Sequence, residues 1–459
     1  MGMNILENLQ VMRSYFESGV TKPYSFRKEQ LKKFRVSILK HEHDLYDALY
    51  ADLKKSPEES WVTEIGLVIS ELNVAIKNLR KWMAPERTRT NLLNLPSSSR
   101  VLKEPLGMVL IIAPWNYPVQ LLFNPLVGAI AAGNCVVLKP SEFAPATDEV
   151  MRKIIEDVFP KEYILYVQGE GAKVIPGMMN HFSFDHVFYT GSTEVGKIIY
   201  KLAAEKLTPV TLELGGKSPC VVEADANIPV AARRIAITAF SNAGQMCVAP
   251  DYVLVHESKK QELINALQNT VKEFFGEKPD ECYNYGRIVN VKQFDRLAKY
   301  LQEGRIAWGG RTAREKLFIE PTILTDIQPG ATVMIDEIFG PILPVISFRT
   351  PEEAKAIISK NPNPLAFYVF TSSRKTEKDW LNSISFGGGC VNNASWHLTN
   401  HHLPFGGRGN SGIGQYHGWF TFDTFSHKKA VMKTLTWFDP KIKYPPFKGK
   451  LRLFKWVVR

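Results

Sequence analysis

An alternation of apolar runs and amphipathic segments between residues 108 and 214 most strongly limits the folds open to this chain. Five apolar runs predict buried strands at residues 108–113, 135–139, 164–168, 186–190 and 210–214. The segments between them have helical spacing at residues 125–132, 146–159, 172–179 and 193–206. Strands joined by helical crossovers run parallel, so this region predicts a doubly wound, five-stranded parallel sheet.

The residues that follow these strands are the first candidates for a binding site. Doubly wound sheets bind ligands in the crevice beyond the carboxyl ends of their strands. In this chain those ends carry PWN at 114–116, KPSE at 139–142, Gly169, TGS at 190–192 and Glu213. Gly191 and Ser192 open a predicted helix, whose free N–H groups and dipole favour a pyrophosphate.

The segment GSTEVGK at 191–197 differs from two common phosphate-binding motifs. It lacks the spacing GxGxxG, and Ile198 stands where a P-loop needs Ser or Thr to hold magnesium. A kinase or nucleoside triphosphatase is therefore disfavoured. After the second strand, Glu142 can bind ribose hydroxyls, while Lys139 would also tolerate a 2′-phosphate. The same pair could equally form a surface salt bridge.

A second α/β pattern follows Glu213. Strands are predicted at 220–223, 252–255, 319–324, 333–335, 343–348 and 365–370, and helices at 228–241, 259–275, 292–303, 352–360 and 375–384. Residues 26–53 and 61–82 predict helices, and residues 85–103, rich in Pro, Ser and Asn, predict an extended excursion or a linker. In the segment DEIFGP at 336–341, Glu337 and Phe339 could contact a ligand's hydroxyls and ring, or form an ordinary turn.

A carboxylate and a thiol lie close to the ends of predicted elements between residues 208 and 250. Glu213 ends a strand directly before the pair Gly215-Gly216, and Cys247 lies in the loop SNAGQMCVAP after a helix. A carboxylate and a thiol on such loops suit the roles of base and nucleophile. Alternatively, Cys247 is a small core residue and Glu213 a surface acid, since free cysteines usually serve packing.

Cysteine usage and charge exclude several classes of protein. The five cysteines are dispersed with no CxxC pair, which argues against a disulfide framework or a zinc site and favours a reducing cytoplasm. We expect no secretory signal and no metal site. The net charge of +11 is concentrated in residues 427–459, which contain ten Lys or Arg and one acid. Because the rest of the chain is nearly neutral, nucleic-acid binding is not predicted.

Six motifs taken together resemble the aldehyde dehydrogenase superfamily. They are PWNYP (114–118), KPSE (139–142), GSTEVG (191–196), ELGGKSP (213–219), GQMCVAP (244–250) and EIFGP (337–341). The segments YGRIVN (285–290) and LPFGGRGNSGIGQYHG (403–418) are similar to the shorter class 3 branch of fatty and aromatic aldehyde dehydrogenases. This resemblance implies a homodimer that uses NAD or NADP, with NAD favoured.

The resemblance also implies a role for each matching residue. Cys247 corresponds to the nucleophile, Glu213 to the general base and Asn116 to the side-chain donor of the oxyanion hole. The residues that correspond to cofactor contacts are Lys139, Glu142, Gly169, Thr190, Gly191, Ser192, Leu214, Gly215, Glu337 and Phe339.

The implied reaction oxidises a medium-chain, long-chain or aromatic aldehyde to a carboxylic acid. Thiolate attack gives a thiohemiacetal whose hydride leaves for the nicotinamide, and water activated by Glu213 hydrolyses the resulting thioester. In one alternative, CoA takes up the thioester, although thiolysis has no use for a water-activating Glu213. A non-catalytic member of the fold and a purely esterolytic enzyme are further alternatives, the last leaving the dinucleotide features unexplained.

The resemblance implies a division into domains. Residues 1–84 and 104–213 would form a Rossmann-like NAD(P)-binding domain, residues 214–417 the catalytic domain, and residues 85–103 with 418–436 a small β element for oligomerisation. Residues 437–459 form a basic, aromatic tail that is too short to span a membrane. Three alternatives stay open for the tail: contact with an anionic membrane surface, a cap over the substrate tunnel, or packing on its own or the partner subunit.

Overall fold

The computed structural model describes residues 2–328 and 330–458, and their strands form three main sheets. The predicted fold class is confirmed, with a Rossmann-like parallel sheet, a second α/β sheet and a small β element. A separate two-stranded pair joins Thr312–Ala313 to Phe318–Ile319.

All five predicted strands occur in the first sheet. In spatial order they are Ile164–Tyr166, Cys135–Lys139, Met108–Ile112, His186–Thr190 and Val210–Glu213, all parallel. A sixth, antiparallel strand that the sequence did not predict, Gly412–Ile413, extends the sheet beside Val210–Glu213. A strand of two residues, one of them glycine, is too short to show an alternating pattern in the sequence. Through this strand, the segment 214–417 contributes to the first sheet.

Four crossover helices cover the first sheet, at Pro118–Ala132, Pro145–Val158, Gly171–His181 and Thr193–Ala204. The first begins seven residues earlier than predicted, because Pro125 lies inside it rather than at its start. Proline has no backbone N–H to donate within a helix and is tolerated best in the first turn. The sequence therefore favoured a helix that starts at Pro125. All residues of Pro118–Ala132 are buried, which leaves no polar face to reveal its period.

The N-terminal region forms a helical layer beside this sheet. Its helices are Gly2–Glu17, Tyr24–Lys40, Glu42–Leu53, Pro57–Ser60 and Gly66–Met83, with a π-helical turn at Trp61–Ile65. The single helix predicted over 26–53 is wrong, since His41 leaves the helical conformation and splits it in two.

The second sheet has seven strands. In spatial order they are Arg305–Trp308, Thr322–Thr325, Ile342–Phe348, Tyr252–His256, Pro219–Val222, Ala366–Phe370 and Gly388–Val391, of which only the first runs antiparallel. Its helices are Ile228–Phe240, Lys260–Phe275, Val291–Tyr300, Pro351–Ile358 and Arg374–Ser383.

Two predictions for the second sheet are corrected. Residues 333–335 are not a strand, because Thr332–Met334 forms a 3-10 turn in which the Glu303 carboxylate accepts the Val333 N–H at 2.6 Å. The strand predicted over 319–324 is split in two between Ile319 and Thr322. The edge strands Arg305–Trp308 and Gly388–Val391 were not predicted.

The small sheet consists of Glu86–Thr88, Ser97–Pro105 and Ser426–Thr434, all antiparallel. Of the two alternatives for residues 85–103, the structure shows the extended excursion: it contains Glu86–Thr88 and the start of Ser97–Pro105, and Ser426–Thr434 pairs with Ser97–Pro105 along its whole length. A short helix, Trp419–Thr424, precedes the last strand.

The C-terminal tail is exposed and contains one short helix, Leu451–Val457. Trp437 and Trp456 are 79% and 66% exposed. Lys443 joins the tail to the small-sheet region by donating to the Leu95 carbonyl at 3.1 Å. Within the described part of the chain, none of the helices has both the length and the apolar content to cross a membrane.

We expect Gly128→Ala to destabilise the protein by about 1–3 kcal/mol through overpacking. A Cβ at Gly128 would overlap the Thr421 side chain, which belongs to helix Trp419–Thr424. Gly177→Ala is the matched control, because a Cβ there meets no atom within 4 Å. It should be neutral or stabilising by up to about 1 kcal/mol. Denaturant unfolding measures both, and equal effects would contradict the packing argument.

Candidate active site

Cys247 follows an unusual turn that ends helix Ile228–Phe240. Three successive residues have left-handed backbone angles, with φ of +50° at Asn242, +51° at Ala243 and +71° at Gly244. A left-handed residue with a Cβ costs about 1–2 kcal/mol, so such a turn persists only where its surroundings hold it. We call residues 241–247 the nucleophile loop.

Gln245 and Tyr368 hold this loop on either side of Cys247. The Gln245 amide donates to the carbonyls of Asn242 and Arg287, both at 2.9 Å, and accepts the Val289 N–H at 3.0 Å. Beyond Cys247, the Tyr368 hydroxyl donates to the Val248 carbonyl at 2.6 Å. The buried contacts therefore position the thiol through its neighbours in the chain.

Cys247 lies on the wall of a cavity of about 670 Å³. Thr190, Glu213 and Leu214 line the same cavity. Most of the remaining wall is apolar or aromatic, formed by Val62, Leu67, Tyr117, Leu121, Ile237, Met246, Phe274, Phe275, Trp396, Leu398, Phe405 and Tyr416. A cavity of this size and lining suits the apolar body of a small-molecule ligand.

The Cys247 thiol is neutral in this environment. Burial, assisted by the nearby carboxyl groups of Glu337 and Glu213, raises its pKa to about 12. At this pKa the Cys247 thiol is largely protonated at neutral pH, whereas the thiolate is the reactive form. A positive charge brought close to Cys247, or a base, would activate it.

Glu213 ends the strand Val210–Glu213 with a buried and unpaired carboxyl group. The residue is 2% exposed, and neither carboxyl oxygen has a hydrogen-bond partner among the described residues. Burial alone raises its pKa well above the usual range. A raised pKa makes the ionised carboxylate a stronger base, so in that form it is suited to take a proton from water.

Asn116 is held against the nucleophile loop. Its side-chain N–H₂ donates to the Gln245 carbonyl at 3.0 Å. Its own carbonyl accepts from Lys55 Nζ at 2.9 Å and from the Asn242 side chain at 2.8 Å. The structure therefore places Asn116 against the loop that carries Cys247, while Cys247 and Glu213 line the same cavity.

A buried ion pair that the sequence analysis missed supports Asn116. Lys55 Nζ and Glu64 Oε1 are 2.6 Å apart, and both side chains are fully buried. The other Glu64 oxygen accepts the Val119 N–H at 2.8 Å, at the start of helix Pro118–Ala132. In the sequence, Lys55 and Glu64 resemble ordinary surface charges of a helical region. The only available sign of a special role was the interruption of the helical pattern at Ser56-Pro57, between the two residues.

Lys139 and Glu142 form a polar pair beyond the strand Cys135–Lys139. Lys139 Nζ lies 3.4 Å from the Glu142 carboxylate, which also accepts the Gly171 N–H at 3.0 Å. Burial lowers the pKa of Lys139. Burial of Glu142 is outweighed by hydrogen bonds from its own and the Gly171 backbone and by Lys139, so its pKa is lowered. The carboxylate is therefore charged at neutral pH.

The next two strand ends have the open backbone expected of a phosphate site. Ser192 caps helix Thr193–Ala204, accepting the Val195 N–H at 3.4 Å. A Cβ at Gly191 would overlap the Tyr189 ring, and Gly169 has a left-handed φ of +118°. Glycine at these two positions therefore permits the close backbone turns that follow the strands, one of them beside a helix N-terminus of the kind that favours anions.

Glu337 approaches the first sheet from the second unit. A Cβ at Gly215 would overlap the Glu337 carboxyl group, so only glycine permits this approach. Burial raises the pKa of Glu337 to about 8, assisted by Asp251 and opposed by the Gly216 N–H. Phe339, at φ +50°, packs edge-on against Trp115 with ring centroids 5.4 Å apart. The segment 337–339 thus faces the carboxyl ends of the first sheet.

The predicted cofactor residues divide into two groups. Thr190 and Leu214 line the cavity with Cys247, and the buried Thr190 hydroxyl has no partner within the described chain. The other predicted cofactor residues do not line the cavity. They lie at the carboxyl ends of the first-sheet strands or in the segment 337–339 that faces them. In residues 2–328 and 330–458, no group of three or more His, Cys, Asp or Glu side chains could hold a metal ion.

Comparisons with known proteins agree with this geometry. The model of the aldehyde dehydrogenase family matches residues 4–431. The 4,4'-diaponeurosporen-aldehyde dehydrogenase of Staphylococcus aureus is 45% identical over 456 residues, covering 99% of each chain. Human aldehyde dehydrogenase family 3 member B1 is 43% identical, covering 96% of this chain and 94% of the human protein.

Solved structures show the same architecture. The substrate-bound state of Staphylococcus aureus AldH superposes with a TM-score of 0.96 at 44% identity, covering 99% of each chain. An indole-3-acetaldehyde dehydrogenase complexed with NAD+ gives a TM-score of 0.86 at 28% identity, covering 95% of this chain and 89% of that one. The chain therefore belongs to the aldehyde dehydrogenase family, close to its family 3 members, and is an aldehyde dehydrogenase.

Proposed function

We propose that this enzyme oxidises large apolar aldehydes, aliphatic or aromatic, to carboxylic acids with NAD or NADP. The observation that carries the proposal is the apolar cavity of about 670 Å³ that ends at Cys247 and Glu213. The Staphylococcus aureus relative is named for 4,4'-diaponeurosporen-aldehyde, which supports an aldehyde as the substrate.

Cys247 acts as the nucleophile in this proposal. After its thiol proton has passed to a base or to solvent, the sulfur attacks the aldehyde carbon, and the resulting negative oxygen is held by the Asn116 side-chain N–H₂ and the Cys247 backbone N–H. Loss of one such donor typically costs about 100- to 1000-fold in rate. The bound nicotinamide supplies the hydride acceptor. Glu213 then takes a proton from water, which attacks the thioester and releases the acid.

We propose that the first sheet holds the dinucleotide across its strand ends. Lys139 and Glu142 would contact the adenosine ribose, and Gly191 with Ser192 the pyrophosphate. Glu337 and Phe339 would contact the nicotinamide ribose and ring. Gly169, Thr190, Leu214 and Gly215 complete the crevice. The charged Glu142 would repel a 2′-phosphate, which favours NAD over NADP.

The three sheets support the domain division proposed from the sequence, with a cofactor domain, a catalytic domain and a small β element. We propose that the small element joins two copies of the chain. Its outer strand, Ser426–Thr434, is nine residues long and lies at the edge of the sheet. Exposed edges of this length are normally covered in native proteins, and a second copy would cover this one.

For the tail we propose peripheral contact with an anionic membrane surface. Residues 441–455 contain six Lys or Arg residues, of which five are exposed, at 441, 443, 448, 452 and 455, and Lys450 is half-buried. Exposed Trp437, Trp456, Phe447 and Leu451 supply the apolar side. This combination suits an interface where basic residues meet lipid headgroups and aromatic rings enter the acyl boundary.

The proposed reaction predicts distinct failures for three variants, followed by reduced-nicotinamide absorbance with an aldehyde chain-length series and no CoA. Cys247→Ala should show no turnover, and Glu213→Gln a single burst that stalls at the thioester. Asn116→Ala should lose about 100- to 1000-fold in kcat. Cys282→Ala, which removes another partly exposed thiol, should stay active.

Each assay is run with NAD and with NADP, and NAD is expected to give the higher kcat/KM. Turnover that requires CoA would replace the hydrolytic reaction with an acylating one. Absence of turnover with every aldehyde, with or without CoA, would refute the proposal and favour a non-catalytic member of the fold.

The raised pKa of Cys247 predicts how its alkylation depends on pH without cofactor. The rate of modification by iodoacetamide should rise without a plateau between about pH 7 and about pH 10, because the thiolate fraction keeps growing. Glu337→Gln removes a negative neighbour, lowers the thiol pKa and should increase the rate at about pH 9. Mass spectrometry of the Cys247 peptide separates it from the other thiols. A plateau below about pH 8 would contradict the assigned pKa.

Membrane contact predicts that full-length protein binds phosphatidylserine vesicles, does not bind phosphatidylcholine vesicles, and dissociates as salt rises. Substituting Trp456→Ser together with Leu451→Ser should weaken this binding. Leu207→Ser is the control, since Leu207 is 90% exposed but lies outside the tail. Equal binding by all three proteins would exclude the tail as the contact.

A further inference from the structure

We propose that Glu59 is a positioning residue that holds the nucleophile loop and, through Asn242, the Asn116 amide. This inference rests on the proposed function, because Asn116 there binds the oxygen of the reacting aldehyde. Glu59 belongs to neither of the sequence motifs around Asn116 and Cys247, and it comes from the N-terminal helical layer.

The contact that carries the inference is between a side chain and a strained main chain. Glu59 Oε1 accepts the N–H of Asn242 at 2.8 Å, across 183 residues of sequence. Asn242 is the first of the three left-handed residues that precede Cys247. Hydrogen bonds to a carboxylate are about twice as strong as those between neutral groups. Glu59 therefore holds the turn at the point where the chain leaves helix Ile228–Phe240.

Asn242 passes this restraint to Asn116. Its side-chain N–H₂ donates to the Asn116 carbonyl at 2.8 Å and to the Gln245 carbonyl at 3.2 Å. The Asn116 side chain donates to the same Gln245 carbonyl at 3.0 Å. The three residues form a closed set of hydrogen bonds, so a displaced Asn242 would shift both the oxyanion donor and the residue two before Cys247.

The local fold around Glu59 explains how it reaches the loop. Ser56 caps the helix Pro57–Ser60 by accepting the Glu59 N–H at 3.2 Å. The π-helical turn Trp61–Ile65 follows, and a Cβ at Gly66 would lie only 2.7 Å from the Trp61 carbonyl. π turns are frequent at functional sites. This one lets Glu59 face the loop while Glu64, five residues later, is fully buried against Lys55.

Asn116 is thus held from two sides by the same short segment. Lys55 donates to its carbonyl at 2.9 Å, and Glu59 acts on it through Asn242. Burial raises the pKa of Glu59, while Lys55 and the Asn242 N–H lower it. Glu64 adds to the effect of burial, so the pKa stays raised overall, and the contact with Asn242 rests on the geometry of the acceptor oxygen.

A direct contact between Glu59 and the substrate is the competing explanation, because Glu59 also lines the cavity. The two roles differ in kinetics. A wall contact changes KM in a way that depends on the aldehyde chain. A positioning role changes kcat, because it alters the group that binds the developing negative oxygen.

The test compares Glu59→Ala, Glu59→Gln, Asn116→Ala and the double variant with both alanines. Glu59→Ala should lower kcat by about 10- to 100-fold with KM within about threefold for every aldehyde. Glu59→Gln keeps an acceptor oxygen and should stay within about threefold of the wild type. In the Asn116→Ala background, Glu59→Ala should add less than about threefold, because both act on one group.

Hydrogen exchange provides a readout independent of activity. The Asn242 amide should exchange faster in Glu59→Ala, and at the wild-type rate in Glu59→Gln and in Glu29→Ala, which removes a surface carboxylate of the same helical layer. Multiplicative effects in the double variant, a change confined to KM, or a Glu59→Gln variant as slow as Glu59→Ala would each overturn the inference. An inactive wild type would instead refute the proposed function. Hydrogen exchange at Asn242 would still test whether Glu59 holds the nucleophile loop.

Discussion

The left-handed turn at residues 242–244 is the constraint on which the site depends. It is unfavourable by itself, since two of its three residues carry a Cβ, and it persists because polar groups from several parts of the chain hold it. Gln245 ties it to residues 287–289, and Asn116 and Glu59 tie it to the N-terminal half. A long-range network of this kind makes the position of Cys247 a property of the whole fold.

Burial sets the protonation of the reactive groups in a consistent direction. Burial raises the pKa values of both Cys247 and Glu213, which favours the protonated, neutral form of each group. The surrounding wall is mostly apolar, and its low dielectric strengthens the electrostatic interactions of any charge that lies in the cavity. The same wall is the basis for the proposed apolar substrate, so the proposed reactivity and substrate class rest on one feature of the cavity.

The local sequence pattern predicted the strands and helices that pack against other regular elements of the same sheet. The five strands of the first sheet follow from uninterrupted apolar runs, and the helices between them from their amphipathic spacing. Residues 333–335 show the opposite case. They have an apolar pattern, but Glu303 captures the Val333 N–H, and the segment forms a turn. The two-residue strand at Gly412 has no pattern at all and exists only because Val210–Glu213 offers an edge.

The sequence by itself determined the parallel architecture, the family, and the identity of Cys247, Glu213 and Asn116 as candidates, because each lies in a motif whose spacing is local. Tertiary structure alone decided which charges became buried. Lys55, Glu59 and Glu64 resemble solvent-exposed helix charges in the sequence, and their periodicity cannot reveal the main-chain atoms of Asn116 and Asn242 that they meet. The physical reason is that a buried charge is defined by its partners, and these partners lie far away along the chain.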